Sequence, residues 1–131
     1  MFNLLAENLN FGEGPRWHND KLWFSDFYQH AVLTVDLNGN IEKIVDIPNQ
    51  PSGLGWLPNG DLLIVSMLDR KIMKYSNNAL TLHSDLSKLT PFRCNDMVVD
   101  KDGHAYVGNF GSLHHAKAVK PTCLIHIDPD G

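Results

Sequence analysis

The sequence predicts an all-β chain of about three four-stranded antiparallel blades, the repeating unit of a β-propeller. Three observations predict it. First, "EGPRWHNDKLWFSD", "SGLGWLPNGDLLIVS" and "NDMVVDKDGHAYVGN" align as one internal repeat, with Glu13, Ser52 and Asn95 in one column and Trp17, Trp56 and Val99 in another. Second, the offsets between copies, 39 and 43 residues, fit the roughly 40-residue period of a propeller blade. Third, each copy divides into short apolar runs separated by tight-turn signals, which is the pattern of meandering strands. A sandwich of unrelated hairpins would give no reason for turn, aromatic and polar columns to return in register.

Taken in order, residues 1–8 ("MFNLLAEN") read as a fourth strand without its first three, and so as a closing strand for a last blade. The first blade covers about 9–47. Its inner hairpin turns at Asn19-Asp20, a third strand runs through "VLTVDLNG" and a fourth through "IEKIVDI". The second blade covers about 50–86, with turns at "PNG" and at Asn77-Asn78 between "KIMKYSNN" and "LTLHSDL". The third covers about 93–131, turns at "KDG", carries an insert at 110–121 ("FGSLHHAKAVKP"), and ends in "CLIHIDPDG". Three blades are fewer than the roughly four to eight that close a ring. Such a set exposes apolar faces and unpaired edges, so self-association, or completion by a missing C-terminal half, is expected.

The 131 residues suffice for about one domain. At 43% hydrophobic and 20% charged residues, the composition is that of a globular protein. No apolar run approaches the roughly 20 residues of a membrane span, and the N-terminus shows no signal-peptide pattern. A cytoplasmic location is the default expectation. The net charge of -4 and the lack of a Lys/Arg cluster exclude an electrostatic footprint for nucleic acid. Cys94 and Cys123, without a CxxC, read as reduced, packed thiols. Adjacent His114 and His115 read as loop residues, since neighbours on a strand point to opposite faces. Recurrence in register assigns Trp17 and Trp56 to core packing.

The polar column is where chemistry could reside. The first strand of a blade lies nearest the propeller axis, so Glu13, Ser52 and Asn95 converge at one end of the channel. A carboxylate, a hydroxyl and an amide carbonyl are hard oxygen donors suited to Ca²⁺, Mg²⁺ or Mn²⁺. Ser52 and Asn95 also read as caps of their turns. A turn has little use for glutamate in particular, whereas a cation near the axis needs an anion.

These segments resemble the regucalcin, gluconolactonase and luciferin-regenerating family of six-bladed propeller lactonases. The resemblance rests on "FGEGPRWHNDKLWFSDFYQHAVLTVDLNG", "QPSGLGWLPNGDLLIVSMLDRKIMKY" and "RCNDMVVDKDGHAYVGNFG". It implies the N-terminal half of such a propeller, with Glu13 a ligand of one divalent cation (Ca²⁺, Zn²⁺, Mg²⁺ or Mn²⁺). It implies too that Arg93, Asn95 and Asp96, in the family's R-x-N-D motif, hold the substrate, and Asn109 is expected to line the same region. The activity implied is opening of small lactones such as gluconolactone, with the general-base aspartate supplied by blades beyond this chain. The other reading is a non-catalytic propeller module that binds or scaffolds, or an inactive truncated fragment.

Overall fold

A computed structural model of the chain describes residues 1–112 and 118–131. Among the described residues all regular structure is β, in three antiparallel sheets. The first contains β1 (Gly12–His18), β2 (Lys21–Asp26), β3 (Ala31–Val35) and β4 (Ile41–Asp46), and the second contains β5 (Pro51–Trp56), β6 (Leu62–Ser66), β7 (Lys71–Ser76) and β8 (Ala79–Asp85). Both are simple meanders in sequence order, and the third joins β9 (Cys94–Val99), β10 (Ala105–Asn109) and β11 (Ile125–Ile127) the same way. Strand β1 lies against β5 and β5 against β9, so the first strands of the sheets share one edge of the stack, as in part of a propeller. No helix among the described residues is long and apolar enough to cross a membrane.

Turn chemistry sets the hairpins. Asn19 and Asn77 each begin a two-residue turn in which both central residues have positive φ, at 49° and 58° for Asn19-Asp20 and 50° and 60° for Asn77-Asn78. Such turns match the twist of the strands they join, and asparagine and aspartate tolerate them best. Asp36 and Asp100 fold the longer turns by accepting two backbone N–H bonds each, from Asn38 and Asn40 and from Asp102 and His104. Asp26, wholly buried, accepts from the amides of Asn10, Phe11 and Gln29, which fastens the N-terminal segment to the end of β2.

The second sheet is the centre of the core. Leu54, Leu62 and Ile64 face the first sheet and pack on Val32 and Ile47; Leu63, Val65 and Ile72 face the third and pack on Cys94, Met97, Val107 and Ile125. Because β6 is covered on both faces, "LLIV" is apolar without alternation. Trp56 stacks on His18 with ring centroids 4.0 Å apart and meets Trp23 edge to face. Its register-mate Trp17 corrects the expectation of core packing, being 56% exposed. The face of the first sheet that bears Trp17 has no sheet across it, whereas the corresponding faces of the second and third sheets do.

That outer face of the first sheet packs Phe24, Ala31, Leu33 and Val35 against Ala6. Residues 1–9 form no strand here; they lie along the first sheet and leave a cleft of about 200 Å³ between Leu5, Leu9, Leu22 and Phe24. Among the described residues no strand pairs with this segment, while β4, β8 and β11 each keep one edge unpaired. In the insert, the Lys120 amide donates to the Gly111 carbonyl at 2.6 Å. His114 and His115 fall outside the described residues.

Of the two thiols, Cys94 matches the expectation of a reduced, packed group and Cys123 corrects it. Both are free, but only Cys94 is buried; Cys123 is exposed on the run leading into β11. Burial pushes the Cys94 thiol up to about 11. Since the thiolate is the reactive form, Cys123 is expected to alkylate in the native protein while Cys94 reacts on the order of 100-fold more slowly. Peptide mass mapping after brief iodoacetamide treatment checks this; equal labelling of the two would contradict the packing of β9.

Candidate functional site

The candidate site is built at the shared edge of β1, β5 and β9, and each of these strands is irregular there. Pairing with the second strand slips between Glu13 and Arg16, between Pro51 and Leu54, and opposite Val107 and Asn109, where β9 passes through Asn95 and Asp96. A β-bulge bends its strand and re-aims a side chain. Three bulges at one level turn the Glu13, Ser52 and Asn95 column toward a common region.

Small residues allow the convergence. Gly14, at φ 59°, sits on the backbone of Ser52 and Gly53, and Gly53 in turn sits on the backbone of Asp96 and Met97. A Cβ on Gly53 would stand 2.8 Å from the Asp96 carbonyl carbon and 2.9 Å from its Cα, with Met97 N nearer still. The three strands therefore touch backbone to backbone.

Within this frame the Ser52 hydroxyl donates to Asn95 Oδ1 at 3.3 Å and is also close enough to Glu13 to favour its ionised form. Partial burial has the larger effect on Glu13 and, helped by the nearby Asp96 charge, raises its pKa above that of an ordinary glutamate. Among the described residues, Glu13 Oε1 is buried with no hydrogen-bond partner. A carboxylate oxygen in that state costs free energy unless a cation or proton satisfies it. Ser25, fully buried and paired with Glu13 across the β1–β2 ladder, donates to the Ser52 carbonyl at 2.6 Å and so ties the first two sheets at the site.

The remaining predicted residues are placed as follows. Asp96 Oδ1 accepts from Arg16 at 2.6 Å and from the Met97 amide at 2.8 Å, while the same Arg16 nitrogen donates to the Met97 carbonyl at 2.7 Å. That clamp joins β1 to β9 across β5. Arg93 is half-buried just before β9; its carbonyl accepts the Phe110 amide, and among the described residues no hydrogen bond engages its guanidinium. Asn109 lies opposite Cys94, at the site end of β10. Its Oδ1 accepts from the hydroxyls of Thr90 and Thr122, and its Nδ2 donates to the Cys123 carbonyl at 2.8 Å.

Sequence reasoning missed Arg16 and Ser25 as positioning residues. A signal existed for the end of each second strand, since Asp26, Ser66 and Asn109 form a polar column directly after "WFS", "LIV" and "YVG". Nothing in the sequence pointed Arg16 at a residue 80 positions away.

A model of the SMP-30/gluconolactonase/LRE-like region matches residues 11–131 of the chain. The chain belongs to the SMP-30/gluconolactonase/LRE-like family. No curated protein matches it. Solved structures do. A gluconolactonase from Xanthomonas campestris is 20% identical, with a TM-score of 0.70 over 81% of this chain and 37% of that one. A calcium-binding regucalcin from Agrobacterium tumefaciens is 16% identical, with a TM-score of 0.64 over 76% of this chain and 39% of that one. A luciferin-regenerating enzyme is 12% identical, with a TM-score of 0.66 over 92% of this chain and 42% of that one. At these identities the likeness is one of fold, and the chain spans less than half the length of each of these family structures.

Proposed function

We propose that this chain supplies three blades, and one arm of the active centre, of a divalent-cation-dependent hydrolase that opens small lactones, sugar lactones such as gluconolactone among them. The observation that carries the reading is the orphaned, buried Oε1 of Glu13 at a bulge shared by three strands. The donor set around it, a carboxylate with hydroxyl and amide oxygens, fits Ca²⁺, Mg²⁺ or Mn²⁺, and the carboxylate also suits Zn²⁺. When bound, such a cation polarises the lactone carbonyl and lowers the pKa of water.

The chain's own residues orient and hold. Glu13 supplies the anion, and Ser25 and Ser52 fix the backbone from which it projects. Arg93 and Asn95 donate hydrogen bonds to substrate oxygens, and Asp96, clamped by Arg16, accepts from substrate hydroxyls. Asn109 keeps the rim formed by residues 90 and 122–123 in place beside them. Water adds to the acyl carbon, the acyl–oxygen bond of the ring breaks, and the freed ring oxygen takes a proton. The general base belongs to blades outside this chain. A second copy would duplicate Glu13, Ser52 and Asn95 without adding a different ligand set, so a distinct C-terminal half completes the ring better than a homodimer.

The test is acid release from gluconolactone on samples separated by mass, with chelator present and with each cation restored. Activity confined to a completed assembly, abolished by chelator and regained with one cation, is expected. Opening that ignores chelator would overturn the proposal.

A further inference from the structure

Apart from the axis site, the outer face of the third sheet gathers three ligand-type side chains. The register pairs Ala105 with Ile127 and Tyr106 with His126, which sets His104 across from Asp128 and diagonal to His126. His126 Nε2 lies 3.1 Å from His104 Nδ1, and His104 Nδ1 lies 3.4 Å from Asp128 Oδ1. All three ligand atoms fall within 4.8 Å of one another. His104 is preset by its backbone, whose N–H donates to Asp100 Oδ1 at 3.0 Å and whose carbonyl accepts the Asp100 amide at 2.9 Å. The Tyr106 ring flanks the cluster, 5.3 Å from that of His126.

We infer that His104, His126 and Asp128 form a second metal site, selective for Zn²⁺ and separate from the axis site. Three lone-pair atoms meet here, and the one proton that can sit between the imidazoles cannot serve them all. A tetrahedral Zn²⁺ centre with bonds of about 2.0–2.1 Å has ligand–ligand edges of about 3.3–3.4 Å. The two edges given above lie close to that; the imidazoles, stacked 24° from parallel with centroids 5.0 Å apart, turn about their ring torsions to aim both lone pairs at one ion, and the third edge closes by rotation of Asp128, whose side chain is 74% exposed. Two imidazoles and one carboxylate favour Zn²⁺ over the hard cations that suit Glu13, and leave a fourth position for water or, where the next sheet of a completed ring covers this face, for a donor from that sheet. The site lies at the opposite end of the β9–β10 hairpin from Asn95, four to five residues at about 3.4 Å each, or roughly 15 Å. An ion held there cross-links β10 to β11, the shortest strand of the described residues.

The experiment titrates the chelator-stripped chain with Co²⁺ and then Zn²⁺. One equivalent is expected to give the d–d absorption band of tetrahedral Co²⁺, which Zn²⁺ bleaches. His126→Ala is expected to weaken binding at least tenfold and Asp128→Asn to weaken it measurably, with far-UV circular dichroism unchanged in both. Glu13→Gln is expected to leave the band intact. No band in the parent chain, a band that survives His126→Ala, or a band lost in Glu13→Gln would each overturn the inference. The last result would assign the ion to the axis site. Loss of lactone opening has no bearing on this readout, so the proposed function and this site fail separately.

Discussion

Replacing Gly53 with alanine is expected to cost roughly 3 kcal/mol, a large share of the chain's stability. The added methyl would lie within 3 Å of backbone atoms of both Asp96 and Met97. Backbone cannot step aside as the end of a flexible side chain can, so β5 and β9 must part. Their separation breaks the Ser52–Asn95 hydrogen bond and opens the core that Leu63 and Val65 share with Met97 and Val107. A domain of this size has only about 5–15 kcal/mol of stability in total. Urea denaturation of the two proteins measures the effect, and an unchanged midpoint would show that the first strands do not meet as described.

Glu13→Gln is expected to lower cation-dependent lactone opening by at least about 100-fold, the scale on which loss of one electrostatic contact in an active centre is felt. The same substitution is expected to leave the cation-free chain as stable as the parent at neutral pH, or more so. The sign follows from the carboxylate's raised pKa. Partial burial, first, and the Asp96 charge make the folded state prefer protonated Glu13. The stability this gives is fully present below the pKa of an unfolded glutamate, and is lost as pH rises through the higher value of the folded state. Glutamine stays neutral throughout, so the difference between the proteins should vanish in acid and emerge toward neutrality. A cation should reverse the order. At 100 times its dissociation constant it stabilises the parent by about 2.7 kcal/mol and the glutamine protein by much less. Thermal melts across pH, with and without cation, read both effects. A glutamine protein that is less stable than the parent at neutral pH without cation would show that Glu13 is a structural acid rather than a poised ligand.

The repeat was legible because propeller blades reuse one local solution. Turn residues such as Asn19-Asp20 and the glycines of "PNG" and "KDG" are demanded by backbone torsion alone, so they mark each hairpin without reference to anything distant. The Glu13, Ser52 and Asn95 column was legible for a related reason. Equivalent places in successive blades face one axis, and a shared column in the sequence becomes a shared place in space. Trp17 shows the limit. Its alignment with Trp56 was sound, yet burial depends on what lies across the sheet, and alignment carries no information about that. Cys123 diverged from Cys94 for the same reason.

What the sequence determined by itself was the order of the strands from residue 12 onward, the turns and the repeat period, all governed by residues close together in the chain. What only the tertiary structure decided was the arrangement between sheets. The bulges that aim the column, the backbone contact at Gly53, the Arg16–Asp96 clamp and the unpartnered oxygen of Glu13 all arise where strands some 40 to 80 residues apart meet. Bulge position and backbone approach respond to the neighbouring sheet, so they are properties of packing, and no run of residues within one blade encodes them.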